Sequence, residues 1–115
     1  MNAMDHVTED QVIREVKSVI KLHGLMIQRI NTGCFSIGTP SNRRYIRTAD
    51  KGTLDFVGMD HHGRHVEIEC KRPVGGRLSP EQADRIKIIN QSGGVAFVVH
   101  SGYEAITLLK ERNCL

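Results

Sequence analysis

Aromatic residues are scarce in this 115-residue chain, with three phenylalanines, two tyrosines and no tryptophan. Extensive base stacking on an aromatic platform is therefore not expected. No stretch approaches the roughly 20 apolar residues that a membrane-spanning helix needs. The first ten residues are polar and lack the apolar core of a signal segment. Cys34, Cys70 and Cys114 lie far apart, are odd in number and include no C-x-x-C pair. That argues against a disulfide framework or a zinc knuckle and for a reducing compartment. Repeats, linkers and low-complexity segments are absent, and no glycine-rich phosphate loop opens a helix. A soluble intracellular protein without a membrane partner is expected.

The length fits one domain over residues 1–115, enough for one sheet and a few helices around a single core. Hydrophobic content of 39% and charged content of 25% are ordinary for a globular chain. The formal net charge of +3 permits a nucleic-acid partner without demanding one.

Helix starts are legible. Thr8 can cap a helix in which Gln11 reaches back and the acids Glu9 and Asp10 favour the dipole. Val12, Ile13, Val16, Val19 and Ile20 then recur at helical spacing, and Gly24 stops the run. Leu25 to Ile30 reads as a short strand. From Asn31 to Gly52 the pattern breaks into loop formers, with Arg43, Arg44, Arg47 and Lys51 making it the most basic segment. Thr53 to Met59 and Arg64 to Lys71 read as two strands joined by a turn at Asp60–Gly63. Pro73 ends the second strand. Ser79-Pro80-Glu81-Gln82 has the cap, the first-turn proline and the Gln of a second helix start, with Ile86 and Ile89 facing inward. Val95 to Val99 is a continuous apolar run, the mark of a buried strand, and Ser101 and Glu104 open a third helix towards Arg112. The predicted order is α-β-β-β-α-β-α, a mixed α/β domain.

The strand ending at Lys71 is the anomaly. Glu67, Glu69 and Lys71 share one face, because strand side chains alternate with period two. Asp55, between the apolar Leu54 and Phe56, points away from them and towards Glu69 if the two strands form a hairpin. Two carboxylates and an ammonium then converge. Such a cluster is costly unless something compensates the like charges. A magnesium ion does so with one or two protein carboxylates, and the Cys70 backbone carbonyl could add an oxygen ligand. Lys71 would orient or deprotonate a water, or stabilise charge developing on a phosphate. Glu9 falls on the middle of the first helix's apolar stripe, so it is directed inward and could complete the site directly or through water.

These residues carry a resemblance. Glu9, then Gly52-Thr53-Leu54-Asp55, then Glu69-Cys70-Lys71, then Ser79-Pro80-Glu81-Gln82 resemble the ordered motifs of the VRR-NUC (virus-type replication-repair nuclease) domain. That is a branch of the PD-(D/E)-x-K nuclease superfamily. Thr8–Val12, Arg29–Gly33 and Gly76–Ser79 agree with segments around those motifs, so the likeness spans roughly Thr8 to Tyr103. It implies a restriction-endonuclease-like core, a central mixed sheet flanked by helices. It also implies Mg²⁺ or Mn²⁺ held by Asp55 and Glu69, catalytic help from Lys71, and support from Glu9 and Gln82. The implied activity is metal-dependent DNA endonuclease cleavage, structure-selective for Holliday junctions or other branched DNA in replication, repair or recombination. The setting it implies is the cytoplasm of a bacterial cell or a phage-infected host. One departure is Leu54, where the family often has a proline that shapes the bend and binds no metal.

Plainer readings stand beside these. Glu67 is expected to be a solvent charge, since the resemblance puts the motif acid at Glu69. Glu9 can serve the helix dipole alone, and Gln82 the capping box alone. His61, His62 and His65 read as a polar loop without zinc-like spacing. Arg43, Arg44 and Arg47 precede the catalytic hairpin in a glycine-rich loop and are expected to contact phosphates, joined by Lys51, Arg72 and Arg77. Tyr45 among them could stack or hydrogen bond. A chain this short offers little surface to a branched junction, so a two-fold homodimer is expected. A non-cleaving DNA-binding or assembly module is the alternative of a different class, and a hydrolase of small phosphate esters is a third.

Overall fold

The computed structural model describes residues 3–30, 34–47 and 50–115, with backbone alone for residues 3, 34–37 and 44–47. After a short 3-10 turn at Ala3–His6, the order is α1 (Glu9–Leu22), β1 (Met26–Arg29), β2 (Cys34–Ile37), β3 (Arg44–Arg47), β4 (Phe56–Met59), β5 (His65–Cys70), α2 (Pro80–Gln91), β6 (Val95–Val99) and α3 (Gly102–Glu111). This is an α/β fold with a mixed central sheet flanked by helices. The sheet order is β1-β4-β5-β6. The first two pairings are antiparallel. The third, β5 with β6, is parallel, with α2 as the crossover.

The expected order holds for the central sheet, but the segment expected to be loop contains more. β2 and β3 pair into a separate two-stranded antiparallel sheet. Gly38, Pro40, Ser41 and Asn42, read as loop formers, form its turn region.

The helix caps form as residue type dictates. Thr8 and Ser79 each accept the backbone N–H three residues on. At Ser79 the box is reciprocal, with Gln82 Oε1 accepting the Ser79 N–H. At Thr8 it is not, because Gln11 Nε2 reaches forward to Glu15 instead of back. The stripe Val12, Ile13, Val16, Val19 and Ile20 is buried as its spacing predicts. It packs with Ala105 and Leu109 of α3 over the face formed by Ile27, Phe56, Val66, Ile68, Cys70 and Val99. Every second residue of β5 serves that core, so Glu67 and Glu69 must face the other way, towards α2.

Helix α2 is attached differently. It buries no side chain fully. Ile86 and Ile89, expected to face inward, are only half-buried, and Ile88 is 58% exposed.

The β4–β5 turn is fastened by Asp60. Its buried carboxylate accepts the N–H groups of His62 and Arg64 and a 2.7 Å bond from Arg64 Nε. Arg64 Nη2 in turn donates to the carbonyls of Arg112 and Asn113 at the end of α3. Burial alone would raise the Asp60 pKa, but the two amides and the guanidinium outweigh it and hold the group below 3.8. Its stabilisation is present above its ordinary value and is lost as pH falls through the depressed one. Asp60→Ala should therefore lower the unfolding free energy by about 2–3 kcal/mol at neutral pH. In urea titrations the gap between the two proteins should close in acid below pH 3.8. A gap that is constant with pH would show that the carboxylate charge is not what the turn depends on.

Candidate active site

The β4–β5 ladder ends where the chain places its acids. Phe56 pairs with Ile68 as the last rung. One step further, side chains replace the backbone partners. The Cys70 N–H donates to Asp55 Oδ2 at 2.8 Å, and the Asp55 N–H donates to Glu69 Oε1 at 3.1 Å. The Asp55 carbonyl accepts the Ile30 N–H, tying the same residue to the end of β1. Asp55 is 9% exposed and Glu69 2%. The two carboxylates are therefore buried together at the open end of the hairpin.

Three further side chains meet there. Lys71, its backbone N–H held by the Val99 carbonyl, turns its ammonium to Glu69 Oε2 at 3.1 Å and is 15% exposed. Gln82, in the first turn of α2, donates through Nε2 to the same oxygen at 2.9 Å. Glu9 stands at the rim, half-exposed, with Oε1 4.0 Å from Lys71 Nζ. The inward direction expected for Glu9 thus becomes a position at the mouth, across Lys71 from the pair. Gln82 performs both roles weighed for it, since Oε1 caps the helix while Nε2 holds Glu69.

The pair carries more negative charge than it can easily hold. Burial and the neighbouring Asp55 charge push the Glu69 pKa up to about 7, although Lys71 and the Asp55 N–H pull against them. Burial, Asp55 and Glu69 together also push the Cys70 thiol up. The thiol points into the core and remains neutral, and its N–H belongs to Asp55.

Glu67 overturns an expectation. It is 0% exposed, not a solvent charge. Arg85 grips it with Nε at 2.7 Å and Nη2 at 2.8 Å, and His65 Nε2 lies 2.6 Å from Oε2. Burial would raise its pKa, but the Arg85 and His65 bonds hold it below the ordinary value. His65 thus belongs to β5 rather than to the polar turn, although it is exposed like His61 and His62. The signal for Arg85 was its place three residues after Gln82, on the same side of the helix.

The basic residues divide. Lys51 pairs with Glu81 at 2.9 Å on the surface, with its side chain largely exposed. Gly52, at φ +91°, lets this loop lie on α2, because a Cβ there would come within 2.9 Å of Glu81 Cβ. Arg72 and Arg77 are exposed. With Asp5, Glu9 and Lys71 they line a cleft of about 460 Å³ opening beside the pair. Arg43 is exposed just before β3. The side chains of Arg44, Tyr45 and Arg47 lie outside the described residues.

Among the described residues no group of three or more His, Cys, Asp or Glu side chains is placed to hold a metal ion. No helix among them is long and apolar enough to cross a membrane. Compared with known proteins, the chain matches no family model, no curated protein and no solved structure.

The raised Glu69 pKa has a thermodynamic consequence. A carboxyl that holds its proton more tightly folded than unfolded stabilises the fold at low pH, and this is lost as pH rises from 4.5 to about 7. In the presence of EDTA, the wild type should lose on the order of 3 kcal/mol across that window relative to Glu69→Gln. Urea unfolding at pH 5 and pH 8 measures it. Parallel pH dependence in the two proteins would contradict the crowded-charge account.

Proposed function

We propose that this protein is a metal-dependent deoxyribonuclease of the VRR-NUC type, with a PD-(D/E)-x-K core. It would hydrolyse DNA phosphodiesters at Asp55, Glu69 and Lys71. The observation that carries this reading is the meeting of two buried carboxylates and one ammonium where the β4–β5 hairpin opens. A structural ion pair needs one acid, and a second acid at the same spot raises the energy of the first.

The donor set fits Mg²⁺ or Mn²⁺. Both acids offer hard oxygens, and Mg²⁺ is commonly held by only one or two protein carboxylates. Among the described residues Asp55 Oδ1 has no hydrogen-bond donor, while Oδ2 is held by Cys70. Asp55 and Glu69 would hold the cation, with the Cys70 carbonyl as a further ligand and Glu9 contributing through water from the rim. When bound, the cation supplies an acidified water and neutralises charge on the phosphoryl oxygens.

The chain's own residues do the rest. Lys71 presents an ammonium, fixed against Glu69, to the charge that develops on the phosphate. Gln82 keeps one Glu69 oxygen turned towards Lys71. Arg72 and Arg77 rim the adjoining cleft and would hold backbone phosphates without reading sequence. Arg43, Arg44 and Arg47 on the β2–β3 hairpin would extend that contact along the strand. The substrate proposed is branched DNA such as a Holliday junction, cut by a homodimer whose two sites face two strands.

Labelled single-stranded, flapped, duplex and four-way-junction DNA, incubated with Mg²⁺, Mn²⁺ or EDTA, tests this. Cutting should require the metal, fall to background in Asp55→Ala, and drop roughly 100–1000-fold in Lys71→Ala. Sedimentation of the active protein should give a dimer. Tight DNA binding with no cutting under any metal would leave a DNA-binding module in place of an enzyme.

A further inference from the structure

Polar rungs hold α2 to the sheet. The helix has no fully buried side chain, and Ile86 and Ile89 are only half-buried, so polar contacts share in fixing its height. At its C-terminal end Asn90 exchanges two hydrogen bonds with the Ala96 backbone. At its N-terminal end are two side-chain rungs to β5. Gln82 reaches Glu69 at 2.9 Å. One turn on, Arg85 grips the fully buried Glu67 through both guanidinium branches at 2.7 and 2.8 Å. Residues 67 and 69 share a face because strand side chains alternate, and residues 82 and 85 share one because helix neighbours lie three apart. The rungs are therefore coupled, and a helix displaced at one is displaced at the other.

The two rungs differ in strength and in use. A bidentate guanidinium–carboxylate pair is charge-assisted and geometrically strict, whereas the Gln82–Glu69 bond is a single contact. Burying an ion pair contributes little net stability over apolar residues of similar volume, so its value here lies in geometry. Among the described residues, every side-chain hydrogen bond of Glu67 goes to Arg85 or His65 and none to Asp55, Glu69 or Lys71.

We infer that the Glu67–Arg85 ion pair is a positioning device for the candidate site. It fixes the height and rotation of α2 at which Gln82 meets Glu69, and through Gln82 it sets the orientation of the Glu69 carboxylate. This rests on reading Asp55 and Glu69 as a cation site. Glu67 and Arg85 act only through Gln82.

The test replaces the pair by apolar residues, Glu67→Leu with Arg85→Leu, in the full chain, alongside Arg85→Lys. The first readout needs no metal. It is the Gln82 side-chain amide resonance in ¹⁵N-labelled protein, assigned by its loss in Gln82→Ala, and its exchange with water. The second is Mn²⁺ affinity from the electron paramagnetic resonance of the free ion. The double variant should melt at or above the wild-type temperature. Its Gln82 amide should nevertheless move to the position of a solvated glutamine and exchange faster, and Mn²⁺ affinity should fall roughly 10–100-fold. Arg85→Lys keeps the charge and loses the fork, so it should fall between.

A folded double variant with an unchanged Gln82 resonance and unchanged Mn²⁺ affinity would overturn the inference and leave an ordinary buried ion pair. If the double variant does not fold, an unchanged Gln82 resonance in Arg85→Lys overturns it equally. If the wild type binds no Mn²⁺, the cation-site reading fails, and the Gln82 resonance still decides whether the pair sets the helix.

Discussion

Where β4 and β5 part, two backbone amides would be left without ladder partners, and two carboxylates take them. Asp55 accepts from Cys70, and Glu69 accepts from Asp55. Buried backbone donors must be paired, so this exchange lets the hairpin open at that point without orphaned groups. It also buries two acids side by side. Lys71 after β5 and Gln82 on α2 stand where they can answer that charge, while Glu9 on α1 adds a further acid at the rim, across Lys71. The strain of the pair and its chemical promise have the same origin.

The two faces of the sheet divide the labour. On one, α1 and α3 bury an apolar layer that includes Val66, Ile68 and Cys70. On the other, the alternate residues of β5 are Glu67 and Glu69, both fully or almost fully buried. Burying charge costs stability unless each group is paired and hydrogen-bonded. Here Glu67 is completely paired and its pKa is held low, whereas Glu69 is under-compensated and its pKa is driven up. Environments that push neighbouring carboxyls apart in this way separate a structural role from a chemical one. The apolar face anchors the sheet, and the polar face holds the buried acids.

Much of this was legible in the sequence for local reasons. Caps at Thr8 and Ser79, the helical stripe of α1, the turn at Asp60 and the apolar run of β6 depend on nearest neighbours, and all formed. The meeting of Asp55 and Glu69 followed from period two and one hairpin. What escaped depends on contacts distant in sequence or on very short elements. Glu67 read as a solvent charge because alternation reveals a face but not what covers it, and Arg85 lies 18 residues on. The β2–β3 hairpin was hidden because its short strands lie among loop-forming types. The ion pair of Lys51 was not legible because its partner, Glu81, belongs to a helix that only the fold brings near.

The central claim is that Asp55 and Glu69 form a cation site. Its most direct measurement is a ¹⁵N correlation spectrum with sub-stoichiometric Mn²⁺, whose unpaired electrons broaden the amides nearest the ion. The account predicts that the amides of Asp55, Cys70 and Lys71 broaden first, and that Asp55→Asn abolishes the effect while the protein stays folded. Broadening spread over the acidic surface, or concentrated elsewhere and indifferent to Asp55→Asn, would contradict it.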